Sequence, residues 1–483
     1  MTGTQTLAVR HFIGGEWSSE GSAAQRENPS DTRDIVTEFH LADRATVDRA
    51  VQAAAAAQGA WSASTPQQRF DVLDRIGSEI LARREELGHL LAREEGKVAP
   101  EAIGEVARAG QIFKFFAGEA LRIPGETLAS VRPGVQVDIT REPVGVVGLI
   151  TPWNFPFAIP AWKIAPALAY GNSVVFKPGD PVPACGAALA EIISRAGLPA
   201  GAFNCVIGRG DVAGQALVDH PLVDAVSFTG SQATGAKVLH GTAARGARVQ
   251  LEMGGKNALV VLADADLDVA VDCALQGAFY STGQRCTASS RLIVASAVHD
   301  AFVERLLARL AALRIGAALD AGTDIGPVVD QRQFDSNLGH LAHAREEGVT
   351  TLQGGERCEA ATPGWYMRPA LLAAQPHHRI AQVEVFGPVA CVLRVDDYEQ
   401  ALALTNDSPY GLCAGICTTS LAHATHFRRH ARVGMTMVNL PTAGVDFHVP
   451  FGGRKGSSYG PREQGRYAVE FYTAVKTGYM RAL

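Results

Sequence analysis

The stretch DAVSFTGSQATGAK, Asp224–Lys237, decides the fold. A short apolar run ends at Thr229, Gly230 and Ser231 follow, and a helical pattern begins at once. Buried strand, glycine turn, helix start is the repeating unit of a doubly wound α/β sheet. The same succession recurs at VGVVGLITP (144–152), NSVVFKPG (172–179) and FNCVIGRG (203–210). A second series, NALVVL (257–262), RLIVAS (291–296) and VACVLRV (389–395), is separated by helical stretches such as DAFVERLLARLAAL (300–313). Continuous apolar runs, rather than alternation, mark strands covered on both faces. Two tandem doubly wound α/β domains are therefore expected, the first of them Rossmann-like.

Outside these series, residues 42–121 are rich in Ala, Leu, Arg and Glu at helical spacing and read as amphipathic helices. GVQVDITREP (134–143) alternates like an exposed strand, and YAVEFYTAVKTGYM (467–480) alternates again with no neighbouring partner. Pairing the two gives a β-strand arm outside both cores. The expected division is 1–121, 142–252 and 438–460 for a cofactor-binding domain, 253–437 for a catalytic domain, and 122–141 with 461–483 for an oligomerisation arm.

The length of 483 residues exceeds what one core organises, and 47% hydrophobic with 19% charged residues describes a packed chain rather than a disordered one. A net charge of -5 gives no basic excess, so nucleic acid is not an expected partner. The eight cysteines form no CxxC pair, which argues against a metal site and for a reducing, cytoplasmic setting. The longest aliphatic run, VGVVGLI, is far short of a membrane span.

Several stretches carry chemistry. Gly230 and Ser231 open a helix, where free N–H groups and the dipole favour an anion. In KPGDPVP, Lys177 and Asp180 follow a buried strand within reach of ribose hydroxyls. GRGDVAG (208–214) misses the dinucleotide glycine fingerprint by one place. In TPWNFPF (151–157) two prolines stiffen the backbone around Asn154, which suits an amide waiting for an oxyanion. Glu252 of LEMGGKN ends a strand ahead of Gly254 and Gly255; withdrawn from water, it would serve as a general base. Cys286 of GQRCTASSR (283–291) lies among small polar residues, unlike a structural cysteine.

Taken in order, TPWNFPF, KPGD, FTGSQATG, LEMGGKN, GQRC, EVFGPV and PFGGRKGSS resemble the motif set of the NAD(P)-dependent aldehyde dehydrogenase superfamily. The resemblance implies oxidation of an aldehyde to a carboxylic acid. Cys286 would be the nucleophile, Asn154 and the Cys286 N–H would hold the oxyanion, and Glu252 would deprotonate the hydrolytic water, with Lys163 also among the catalytic positions. Trp153, Lys177, Asp180, Gly210, Gly230, Ser231, Met253, Gly254, Glu384 and Phe386 would bind NAD or NADP. Many relatives have glutamate at Asp180 and a larger residue at Gly179; the carboxylate favours NAD, while a wider pocket at Gly179 would admit NADP.

The closing region and GQRCTASSR are similar to the branch of alpha-ketoglutaric semialdehyde dehydrogenases, which implies a short aldehyde bearing a carboxylate. Arg285 is the first candidate for the cationic partner, against the alternative that it is tied into a structural ion pair, and it would also lower the Cys286 pKa. Phe155, Trp162, Tyr280 and Phe451 would form the pocket wall. Alternatives are a succinic semialdehyde or an aromatic or aliphatic aldehyde as substrate, a CoA-acylating enzyme, a lens-type scaffold, and a redox-free cysteine hydrolase, which would need a histidine such as His448. A homodimer or homotetramer is expected from the arm.

Overall fold

A computed structural model describes residues 5–481; the outermost residues of the expected first domain (1–4) and arm (482–483) lie outside the described residues. The first large sheet has eight strands in the order Ser458–Tyr459, Arg248–Glu252, Ala225–Thr229, Val146–Ile150, Ser173–Lys177, Phe203–Cys205, His11–Ile13 and Glu16–Ser18. Its central strands, from Arg248–Glu252 to Phe203–Cys205, are parallel. Starting at Val146–Ile150 the chain winds outward one way, then returns to lay Ala225–Thr229 and Arg248–Glu252 on the other side. The strand order therefore reverses between Val146–Ile150 and Ala225–Thr229. An open α/β sheet receives its ligand at the carboxyl edge of such a reversal.

The second sheet has seven strands in the order Thr350–Gln353, Ala370–Ala373, Val389–Val395, Arg291–Ala295, Ala258–Val261, Cys413–Cys417 and Met435–Val438, parallel except for the first pair. Strand Arg248–Glu252 ends at the carboxyl edge of the first sheet, and Ala258–Val261 begins at the amino edge of the second. Only residues 253–257 join them, so those two edges are brought face to face. The tandem doubly wound architecture expected from the sequence is the one observed.

No strand was expected before residue 42, yet five occupy Leu7–Leu41. Ser22–Asn28 carries polar side chains on a partly exposed sheet, and the buried His11–Ile13 is only three residues long, so no apolar run announces them. The helical region resolves into Arg44–Ser62, Pro66–Ala82, Arg84–Glu95 and Ala99–Ala120. Asp43 caps the first through the Thr46 N–H at 2.8 Å, and Thr65 and Gln68 cap the second reciprocally.

The arm forms as the alternation suggested: Thr473–Arg481 runs antiparallel to Val135–Pro143, which also pairs with Glu126–Ala129. Within the segment from residue 461 onward, the strand itself starts at Thr473. Glu463, Phe471 and Tyr472 are buried with the first domain, and the chain leaves that core only at Thr473, because two large aromatic side chains hold the preceding turn inside.

Helix Pro183–Ser194 has no capping side chain of its own. The carboxylate of Glu94, from another helix, accepts the Ala184 and Cys185 N–H groups at 2.7 and 2.8 Å and the Thr37 hydroxyl at 3.1 Å. Glu94→Ala would leave three buried donors unsatisfied, so a loss of about 3 kcal/mol in unfolding free energy is expected from denaturant titration, with Glu94→Gln losing less.

Candidate active site

The facing sheet edges supply every functional side chain. Beyond Val146–Ile150 the chain runs into Trp153 and Asn154; beyond Ala225–Thr229 come Gly230 and Ser231; Glu252 closes its strand. From the second domain, Cys286 precedes Arg291–Ala295, and Glu384 and Phe386 precede Val389–Val395.

The cysteine loop is held in an uncommon shape. Ser281 and Thr282 take left-handed conformations, φ 52° and 55°, each costing about 1–3 kcal/mol. The strain is held by contacts across the domain boundary: Glu101 accepts the Ser281 N–H at 3.1 Å and its hydroxyl at 2.9 Å. Asn257 donates to the Cys286 carbonyl at 2.8 Å. Asn154 is buried; its Nδ2 donates to the Gln284 carbonyl at 2.9 Å, and its own carbonyl accepts from Lys97 Nζ at 2.6 Å. An amide nitrogen carries two hydrogens, so one fixes the side chain while the other remains for a ligand.

Burial pushes the Cys286 thiol up to about 12, with the nearby carboxylates of Glu384 and Glu252 adding to the effect; the Cys286 and Thr287 N–H groups act in the opposite sense. Arg285 does not lower it. Its guanidinium is bound to Glu101 at 2.9 Å, the Ser281 hydroxyl at 2.7 Å and the Gln276 carbonyl at 3.2 Å, so it is the structural ion pair and is not available to a substrate carboxylate.

Burial likewise raises the Glu252 carboxyl well above its ordinary range, reinforced by the charge of Glu463. Ser458 donates to its Oε2 at 2.6 Å, while Oε1 is buried without a partner. Lys163 is fully buried in an ion pair with Glu463 and donates to Ser227 Oγ at 2.7 Å. It touches neither Cys286 nor Glu252 by a hydrogen bond and acts on Glu252 through its charge, which makes it a positioning residue.

Glu384 accepts the Gly255 N–H at 2.8 Å, and burial raises its pKa to about 7. A side chain at Gly254 would collide with the Glu384 carboxylate, which explains the glycine. Phe386, at φ 60°, meets Trp153 edge-on with ring centroids 5.3 Å apart.

Further along the edge, Lys177 Nζ is held by Asp180 at 2.6 Å and by the carbonyls of Pro178 and Gly208 at 2.7 and 2.8 Å. Asp180 is exposed and also accepts the Gly210 N–H at 3.1 Å. Ser231 caps helix Gln232–Ala243, Gly230 donates to the Glu252 carbonyl at 3.0 Å, and Met253 donates its N–H to the Ser457 carbonyl at 2.7 Å. An exposed acid, a helix N-terminus and a glycine-lined floor along one edge fit a dinucleotide. The widening expected at Gly179 is absent: a methyl group there would lie 2.7 Å from the main chain of Pro152 and Trp153, which fills the space.

Of the expected pocket wall, Trp162 stacks on Phe451 with centroids 5.1 Å apart, and Phe155 packs on the same core beneath Lys97, whose Nζ is 3.9 Å from its ring centroid. Tyr280 is not part of it. Its ring packs against the helices of the second domain, beyond the left-handed turn that separates it from Cys286.

Lys97 and Glu105 were not read from the sequence. They form a buried ion pair at 2.5 Å, and Glu105 also accepts the Phe157 and Ala158 N–H groups at 2.9 and 3.2 Å. The available signal was Glu105 on the apolar stripe of its helix with Ala102, Val106 and Ala109.

Comparison with known proteins agrees with this arrangement. The model of the "Aldehyde dehydrogenase family" matches residues 17–478. The chain is 42% identical to an alpha-ketoglutaric semialdehyde dehydrogenase of Bacillus subtilis, covering 99% of each chain. It is 40% identical to an alpha-ketoglutarate semialdehyde dehydrogenase of Haloferax volcanii, covering 97% of this chain and 98% of the relative. Among solved structures it resembles betaine aldehyde dehydrogenase of Staphylococcus aureus in complex with NAD+, with a TM-score of 0.96 at 32% identity over 98% of this chain and 95% of that one. With cysteine, amide and glutamate gathered where two sheet edges meet, and a family match along nearly its whole length, the chain belongs to the aldehyde dehydrogenase family.

Proposed function

We propose that the protein oxidises a short, carboxylate-bearing aldehyde, alpha-ketoglutaric semialdehyde in the first instance, to the carboxylic acid, using NAD(P) with NAD favoured. The observation that carries this reading is that Asn154 is anchored to the Gln284 carbonyl, two residues before Cys286, while the charges of Glu384 and Glu252 both bear on the Cys286 sulfur. The names of the two semialdehyde dehydrogenase relatives support the substrate. The carboxylate of Asp180 and the filled space at Gly179 favour a free ribose hydroxyl over an added phosphate.

Cys286 Sγ, once deprotonated, attacks the aldehyde carbon, and the second N–H of Asn154 with the Cys286 N–H would donate to the developing oxyanion. Lys177, Asp180, Gly210, Ser231 and Glu384 would hold the dinucleotide, with Trp153 and Phe386 flanking it; when bound it supplies the hydride acceptor that leaves a thioester on Cys286. Glu252 takes a proton from water to hydrolyse that thioester. Burial raises its pKa, so the base form appears at higher pH than for an ordinary carboxylate.

A hydrolase reading is disfavoured because, among the described residues, no histidine hydrogen-bonds Cys286, whereas retention of Glu252 speaks against transfer to CoA. Eight unpaired cysteines among the described residues support a reducing, cytoplasmic setting. For assembly we infer a homodimer or a dimer of dimers through the arm, where Val475, Tyr479 and Met480 stand exposed on a sheet edge.

Cys286→Ala is expected to abolish aldehyde oxidation while dinucleotide binding, followed by fluorescence, persists. Glu252→Gln should retain a single-turnover burst of reduced dinucleotide in stopped flow but slow acid release by roughly 100-fold or more, and should flatten the alkaline rise of the steady-state rate. An unchanged steady-state rate would remove Glu252 from the hydrolytic step. Tyr479→Asp should shift the protein to a smaller species on size-exclusion chromatography; an unchanged elution volume would exclude the arm as the interface.

A further inference from the structure

Arg108 lies on helix Ala99–Ala120, and its guanidinium stands 5.8 Å from the ring of Trp162, which in turn stacks on Phe451. Its Nη2 donates to Gln464 Oε1 at 3.0 Å, whereas its Nε is buried with no partner. Among the described residues, no carboxylate lies within ion-pair distance of it. Glu105, one turn earlier, is committed to Lys97 and to the start of the next helix. An arginine withdrawn from water is ordinarily paired. Burial lowers the Arg108 pKa, while the charges of Glu105, Asp446 and Cys286 raise it, and Trp162 and Phe451 belong to the apolar cluster against which Cys286 packs. The same arginine–tryptophan contact carries a second orphan donor, the buried Trp162 Nε1–H.

We infer that Arg108 receives the carboxylate at the far end of the aldehyde substrate. The inference rests on the semialdehyde reading above and names the cation that reading requires once Arg285 is committed to Glu101. A guanidinium with open N–H donors matches a planar carboxylate, and the aromatic wall of Trp162 and Phe451 excludes the water that would weaken the pair. The same charge repels a cationic aldehyde such as betaine aldehyde.

The test compares kcat/KM for succinic semialdehyde and for butanal, equal in chain length and differing in the carboxylate, in the full-length enzyme with its dinucleotide. The wild type should prefer the semialdehyde. Arg108→Met should lower that preference by about 100-fold, mainly through KM, because a distal group binds ground and transition state alike. Arg108→Lys should recover part of it. Should the methionine variant not fold, Arg108→Gln, which keeps an amide for Gln464, reads the same ratio. A ratio that survives both neutral substitutions, or equal losses on both aldehydes, overturns the assignment of Arg108. A wild type without preference for the semialdehyde instead overturns the substrate reading, and the assignment falls with it.

Discussion

The buried Lys97–Glu105 pair is the contact through which the two halves of the site are held in register. Lys97 donates to Glu105 at 2.5 Å and to the Asn154 carbonyl at 2.6 Å, while Glu105 receives the first N–H groups of helix Ala158–Ala169. One charge pair thus ties two helices to the loop that presents the amide. Removing either member would strand the other as a buried charge, at a cost of about 3–5 kcal/mol. Asn154 is fixed from its other end by the Gln284 carbonyl, two residues before Cys286. Amide and sulfur are therefore positioned by one continuous chain of hydrogen bonds crossing from the first domain to the second.

Electrostatics in the site follow from the dryness that this packing creates. Both Cys286 and Glu252 are pushed toward their neutral forms by burial, and each carboxylate near the sulfur adds to the effect. Lys163 with Glu463 sets a second buried pair behind Glu252, in which the Glu463 charge, raising the Glu252 pKa, outweighs that of Lys163.

Six non-glycine residues among those described take left-handed conformations, and three of them flank the candidate site. Ser281, Thr282 and Phe386 adopt left-handed conformations, and all belong to the loops entering the amino edge of the second sheet. The surrounding contacts, Glu101 above all, keep them there. Such positions are invisible in composition, since serine, threonine and phenylalanine give no hint of the turn they must make.

By itself the sequence determined the two wound domains, because strands covered on both faces need continuous apolar runs with turn residues at fixed places. It also set Cys286 apart by its small polar neighbours, pointed to Glu252 and Asn154 through the ordered motif set they share with it, and suggested the pairing of the arm through its alternation. The N-terminal strands escaped because they are either polar and partly exposed, as Ser22–Asn28 is, or too short to form an apolar run, as the buried His11–Ile13 is. Tertiary structure alone decided which charges are spent and which are free. Arg285 lies next to the nucleophile in sequence and is consumed by Glu101, whereas Arg108, far away along the chain, faces the aromatic wall without a carboxylate. Ion pairing is set by distance in space, and the short crossing at residues 253–257, which sets one sheet edge against the other, fixes those distances only once the chain has folded.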